Sequence, residues 1–176
     1  QEAIFNGQGS LSKQLGEKGD FDIVHKRFME QMARIFRDPN VKKACLERNF
    51  DKILFDLNKK LETIDHVLTH FLDSKRGFFP RFYFLSNDEL LEIVGCAYNI
   101  TPVKKHLKKI FEGVADVEYN ETKGGVTEIT TIRSSEDEVV PLSKKVEVNK
   151  NSGVEDWLGV LKEAIESTLI KELNDF

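Results

Sequence analysis

The chain has 176 residues, with 26 basic and 30 acidic side chains and a formal charge of −4. That balance lacks the basic footprint of a nucleic-acid binder, and no apolar run approaches the roughly 20 residues of a membrane helix. A hydrophobic content of 40% supports a core and 32% charged residues a well-solvated surface, so one domain or two small ones are expected.

Residues 1–19 are glycine-rich, show little periodicity and read as a flexible lead-in. From Phe21, apolar residues recur at Val24, Phe28, Met32 and Ile35/Phe36, which is helical spacing. Asp38-Pro39 closes that helix, because the residue before a proline avoids the helical region. A short second helix is expected over residues 41–46. The strongest periodicity follows: Phe50, Leu54, Leu57, Leu61, Ile64, Leu68 and Phe71 alternate by four and three. Ile53, Val67 and Leu72 broaden the stripe, which favours packing in a helical bundle over a free two-stranded coiled coil. The pattern predicts a helix of about 24 residues, on the order of 36 Å long.

An aromatic rib follows at residues 78–85, where Phe78, Phe79, Phe82, Tyr83 and Phe84 surround Pro80. Pro80 pushes Phe79 into the extended region, and alternation beyond it predicts a short strand or extended rib. Phe82 and Phe84 would share a buried face, with Arg81, Tyr83 and Leu85 opposite. Ser86 and Glu89 form a capping-box pattern opening a helix over 88–96. Thr101 as N-cap and Pro102 as first helical residue open another, with Val103, Leu107, Ile110 and Phe111 inward and Gly113 as C-cap. Residues 114–148 are rich in Val, Ile and Thr, with turns at Lys123-Gly124-Gly125 and Ser134-Ser135-Glu136-Asp137. They predict two or three antiparallel strands. Ser152 and Glu155 make a second capping box, opening a helix with Val154, Trp157/Leu158, Leu161, Ile165 and Leu169 inward. The expected fold is α+β and mainly α: a helical bundle on one long helix, a small antiparallel sheet and a C-terminal helix. Its divisions would be the lead-in 1–19, a helical segment 20–113, the sheet 114–150 and the terminal helix 151–176.

Catalytic chemistry is hard to assemble from this chain. A phosphate-cradling loop needs glycines spaced before a Lys-Ser/Thr pair, and Lys123-Gly124-Gly125-Val126 lacks both. His66 and His70 are four apart, but Val67 stands where the base of a metalloprotease motif belongs, and both fall outside the apolar seam. An ordinary polar helix face is the simpler reading. Lys104, Lys105, Lys108 and Lys109 form the dense basic run, read either as a solvated helix face or as a surface for an acidic partner. Glu136-Asp137-Glu138 is most simply solvated, and Ser134/Ser135 before it is only a weak phosphorylation signal. Asn120-Glu121-Thr122 fits a glycosylation sequon, which carries no weight in a cytosolic protein. Cys45 and Cys96 are expected to be reduced, buried thiols. No catalytic residue, metal or cofactor is expected. A chain beginning at Gln1 and ending within an amphipathic pattern is expected to be a piece of something longer.

The run Lys75-Arg76-Gly77-Phe78-Phe79-Pro80-Arg81-Phe82-Tyr83-Phe84-Leu85-Ser86-Asn87-Asp88-Glu89 resembles the linker region of dynein heavy chains. So do Ile4-Phe5 with Lys13-Gln14-Leu15, the stretch Phe71-Leu72-Asp73-Ser74-Lys75-Arg76, residues 103–113 and Val154-Glu155-Asp156-Trp157-Leu158. Ser134-Ser135-Glu136-Asp137-Glu138 is similar to the family's SSEGE, with Asp137 in place of the usual glycine. The resemblance implies a mechanical linker that lies across the ring of AAA+ modules of the same heavy chain and moves with their ATP cycle. It also implies no activity of its own, microtubule contact only through the full-length motor, and a monomeric fragment. The location would be the cytoplasm and cytoskeleton, with the axoneme of a cilium or flagellum favoured. Interface candidates are Phe79, Pro80, Arg81, Phe82, Tyr83, Phe84, Lys104, Lys105, Lys108 and Lys109, with neither nucleic acid nor membrane as partner. The residues alone leave two rivals: an adaptor binding a partner helix along residues 50–71, and a small metal-dependent enzyme using His66 and His70.

Overall fold

The computed structural model describes residues 18–46, 49–96, 99–122, 126–149 and 153–175. Among them the order is α1 (Lys18–Arg37), α2 (Val41–Leu46), α3 (Phe50–Phe78), a 3-10 helix (Pro80–Phe84), α4 (Asn87–Gly95), α5 (Ile100–Lys104) and α6 (Leu107–Ile110). Then come β1 (Val114–Glu121), β2 (Thr127–Ser134), β3 (Val139–Val148) and α7 (Val154–Asn174). The fold is α+β and mainly helical, with a three-stranded antiparallel meander and a C-terminal helix. The chain separates into two units, Gln1–Phe71 and Leu72–Phe176.

In the first unit α1 runs antiparallel to α3. Asp20 meets Lys60 at 3.3 Å, while Arg34 lies over the Phe50 ring at 6.0 Å. Asn40 caps α2, its side chain accepting from the Lys43 amide at 3.2 Å. Phe21, Val24, Leu57, Ile64 and Leu68 are buried, while Leu54 and Leu61 of the seam stay partly exposed. Phe28, expected inward, is instead exposed, as are Phe36, Val41, Leu46 and Phe55. Of the lead-in expected over residues 1–19, residues 1–17, with the Ile4-Phe5 and Lys13-Gln14-Leu15 matches, lie outside the described residues, while Lys18 and Gly19 belong to α1.

Helix α3 has 29 residues and so is about 44 Å long at the usual rise per residue. It is longer than the spacing predicts because Ser74, Lys75, Arg76, Gly77 and Phe78 continue it. The rib is not a strand. Pro80 occupies the first position of a 3-10 helix, where its locked φ fits and its missing amide costs nothing. Phe79 is extended as expected (φ −131°, ψ 91°), and its carbonyl accepts from the Phe82 amide at 3.0 Å. A three-residue repeat then brings Phe79 and Phe82 together and turns Phe84 outward. Phe82 is 0% exposed and Phe84 67%, so the expectation that both are buried fails for Phe84; Leu85, expected opposite, is buried.

Ser86 and Glu89 form the capping box of α4, with Ser86 N to Glu89 Oε2 at 3.0 Å and Glu89 N to Ser86 Oγ at 3.3 Å. The next helix is capped by Asn99, whose side chain accepts from Thr101 N at 3.0 Å, not by Thr101. It breaks into α5 and α6, and Gly113 then takes φ +84°, a left-handed value that suits glycine. In the sheet Val117 pairs with Ile132 and Ile129 with Val146, all four buried, and α7 packs along β3. Pro141 sits on edge strand β3 at a register shift, where a lost amide is tolerated. The β2–β3 turn places Asp137 at φ 64°, the left-handed conformation expected of that position. The Lys123-Gly124-Gly125 turn lies outside the described residues.

Gly153 is the N-cap of α7; Ser152 lies outside the described residues, and Glu155 does not play the capping role expected of it. Asp156 does, accepting from Gly153 N at 2.8 Å. Val154, Trp157, Leu158, Leu161 and Ile165 face inward as expected, but Leu169 is exposed and Thr168 buried in its place. Thr168 Oγ1 accepts from Ser143 N at 3.0 Å and donates to the Ala164 carbonyl at 2.7 Å, which lets a hydroxyl replace an apolar group there. Cys45 is exposed and Cys96 half-buried, which corrects the expectation of two buried thiols; both are free.

Candidate functional site

The rib and the basic run lie in the second unit and share a neighbour, the C-terminal end of α6. Phe79 and Phe82 meet edge to face at 5.0 Å, and Phe79 lies 6.3 Å from the Phe111 ring. Arg81 reaches the same neighbour. Its Nη1 donates to the Ile110 carbonyl at 3.0 Å and its guanidinium covers the Phe111 ring at 5.2 Å. A cation on the last carbonyl of α6 also suits the negative end of that helix. Pro80, Tyr83 and Phe84 are exposed, as is Phe78 just before them. The rib is therefore half core and half surface.

Arg76 fixes the rib from behind. It reaches Asp73 Oδ1 at 3.1 Å, Asn87 Oδ1 at 2.8 Å and the Leu85 carbonyl at 3.4 Å, and it lies 5.8 Å from the Tyr83 ring centre. One planar fork thus holds both the exit of the 3-10 helix and the start of α4. Its neighbour Lys75 pairs with Glu155 at the other end of the unit's chain.

The lysines of the basic run are mostly engaged within the unit. Lys104 pairs with Asp116 at 2.8 Å, Lys105 with Glu92 at 3.3 Å and Lys109 with Glu89 at 2.6 Å. Lys108 is exposed and makes no ion pair among the described residues. His106, buried in the middle of the run, lies between two carboxylates: Nε2 is 3.3 Å from Glu92 Oε2 and Nδ1 3.6 Å from Glu89 Oε1. The Lys109 ammonium and the Ser86 amide hold the Glu89 carboxyl down at about 2, and His106 with Lys105 lowers that of Glu92. Local reading of the sequence missed this cluster. Its signal was there: carboxylates three apart on one short helix, and a histidine at 106 between lysines at 105 and 109 farther along the chain.

His66 and His70 lie on α3, and the described residues hold no group of three or more side chains suited to a metal. A groove in the first unit is lined by Leu61, Glu62, Ile64, Asp65 and Leu68. No helix among the described residues is long and apolar enough to cross a membrane. What the arrangement provides is a firmly pinned corner that presents aromatic rings outward.

The family described as dynein heavy chain, N-terminal region 2, matches over residues 1–176. Cytoplasmic dynein 2 heavy chain 1 of Tripneustes gratilla is 40% identical over 174 residues, which is 99% of this chain and 4% of the relative. The Dynein-1-beta heavy chain of the flagellar inner arm I1 complex of Chlamydomonas reinhardtii is 37% identical over 98% of this chain and 4% of its own length. Dynein axonemal heavy chain 3 of Homo sapiens is 37% identical over 89% of this chain and again 4% of the relative. The chain spans about 4% of the length of these curated relatives.

Proposed function

The chain belongs to the dynein heavy chain family, N-terminal region 2, and from that premise we propose that it is a mechanical segment of the motor's linker. It transmits movement driven by ATP hydrolysis elsewhere in the heavy chain and performs no chemistry itself. The observation that carries this reading is the continuity of α3. It runs as one helix of 29 residues and ends on a rib held by Arg76 and Arg81. A regular helix is stiff along its axis, and a densely packed anchorage passes on displacement with little deformation. The exposed rings of Phe78, Tyr83 and Phe84 would face other modules of the same heavy chain. Microtubules would be met through the full-length motor, at the cytoskeleton, in a cilium or flagellum; the names of the flagellar and axonemal relatives support that location. The rival adaptor reading needs a free seam on α3, yet Leu57, Ile64 and Leu68 are already buried.

The test breaks α3 where its surface is exposed. Thr63→Pro in the full heavy chain removes a helical hydrogen bond and kinks the helix, at a cost of about 3 kcal/mol. Microtubule gliding is expected to slow sharply while basal ATP hydrolysis persists. Unchanged gliding, or ATP hydrolysis by residues 1–176 alone, would sink the mechanical reading.

A further inference from the structure

Lys75 and Glu155 are 80 residues apart, yet their charged ends meet, with side chains only 17% and 13% exposed. Both belong to the second unit, so the contact joins the last turns of α3 to the first turn of α7. One glycine makes it possible. A Cβ built on Gly153 would lie 2.7 Å from Glu155 Cδ and Oε1 and 2.8 Å from Oε2, closer than side chains tolerate. The Glu155 carboxylate therefore folds back over the N-terminus of its own helix through space that only glycine leaves open. That position suits an anion, because the unpaired amides of the first turn carry partial positive charge. The second oxygen, Oε2, is buried with no hydrogen-bond partner, so the lysine is the main compensation for the buried charge.

We propose that Lys75, Glu155 and Gly153 form a latch that ties the C-terminal end of α3 to the N-terminus of α7. Lys75 and Arg76 divide the work: Arg76 holds the rib and α4, while Lys75 holds α7 and, through it, the strand β3 along which α7 packs. A displacement of the long helix then reaches α7 and β3 through this ion pair, whose partners lose more when separated than they gain by meeting. The consequence for force rests on the mechanical function proposed above, whereas the latch itself is testable without it.

Hydrogen exchange on the full heavy chain, read by mass spectrometry, separates the two. Lys75→Met leaves the carboxylate buried and unpaired, and exchange in the first turns of α7 and at the Phe79 amide, which donates to the Lys75 carbonyl, is expected to rise about tenfold. Adding Glu155→Gln should restore part of that protection, because the orphaned charge is gone. Gly153→Ala alone should loosen the same amides by displacing the carboxylate, yet add little on the Lys75→Met background. Amides of β2 around Ile129 should keep wild-type protection in every variant. Additive effects of the paired substitutions, or a rise spread equally over β2, overturn the latch. Gliding measurements on the same variants test the mechanical function separately.

Discussion

The two units use the same alphabet of apolar helix faces and reach different densities. In the first, buried Phe21, Val24, Leu57, Ile64 and Leu68 stand beside Phe36 at 87% exposure and Phe55 at 69%. In the second, Phe82, Leu90, Ile93, Leu107, Ile129 and Leu158 are fully buried, and polar side chains fasten the segments that carry them. Helical periodicity alone therefore does not say how much of an apolar face is covered. Covering it takes crossing elements, and within the second unit the sheet, the rib and α7 supply them.

The sharpest way to break this contrast is within the rib itself. Phe82→Ala should destabilise the chain by about 3–5 kcal/mol, the usual cost of emptying a large aromatic from a core. Phe84→Ala should stay within about 0.5 kcal/mol, as exposed sites do. Thermal or denaturant melts decide, and equal losses from the two would restore the strand-like rib. Arg81→Ala comes next, expected to cost about 1.5–3 kcal/mol for a charged donor lost from the Ile110 carbonyl. A larger loss than for Phe82→Ala would make the arginine, not the aromatic core, the centre of the rib. Ser86→Ala should cost about 1 kcal/mol through the lost cap of α4, visible as a lower midpoint in urea with an unchanged slope.

The ionic cluster offers a pH test. The Glu89 carboxyl is held at about 2 in the folded chain, below its ordinary value near 4.5, so its contribution is complete above that ordinary value. It is lost as pH falls from about 4.5 through about 2, and the depressed Glu92 acts in the same direction. Melts taken across that window should show Glu89→Gln losing less stability on acidification than wild type; parallel curves would exclude the cluster as a contributor. The smallest expected effect belongs to the first unit. Phe55→Ser should leave stability within about 0.5 kcal/mol, and a large loss would show its exposed face to be covered after all.

Much of this molecule was determined by the sequence itself. The long apolar stripe, the Ser86–Glu89 box, the short second helix, the strands over residues 114–148 and the left-handed Asp137 all rest on signals within a few residues of each other. Local sterics and hydrogen bonds are enough to read them. The family could be identified in the same way, from ordered short motifs. Tertiary structure decided the rest. Whether the rib alternates with a period of two or three depended on Phe79 meeting both Phe82 and Phe111, the latter some 30 positions on. Thr168 in place of Leu169 depended on Ser143 across the packing of α7 on β3. The capping of α5 by Asn99, rather than Thr101, was a choice between two sound local signals. The ion pairs of the basic run escape both readings of it, a solvated helix face or a surface for an acidic partner, because their carboxylates lie on α4 and β1, beyond the reach of helical spacing. Burial and charge pairing are properties of neighbours in space, and most of these neighbours are distant in the chain.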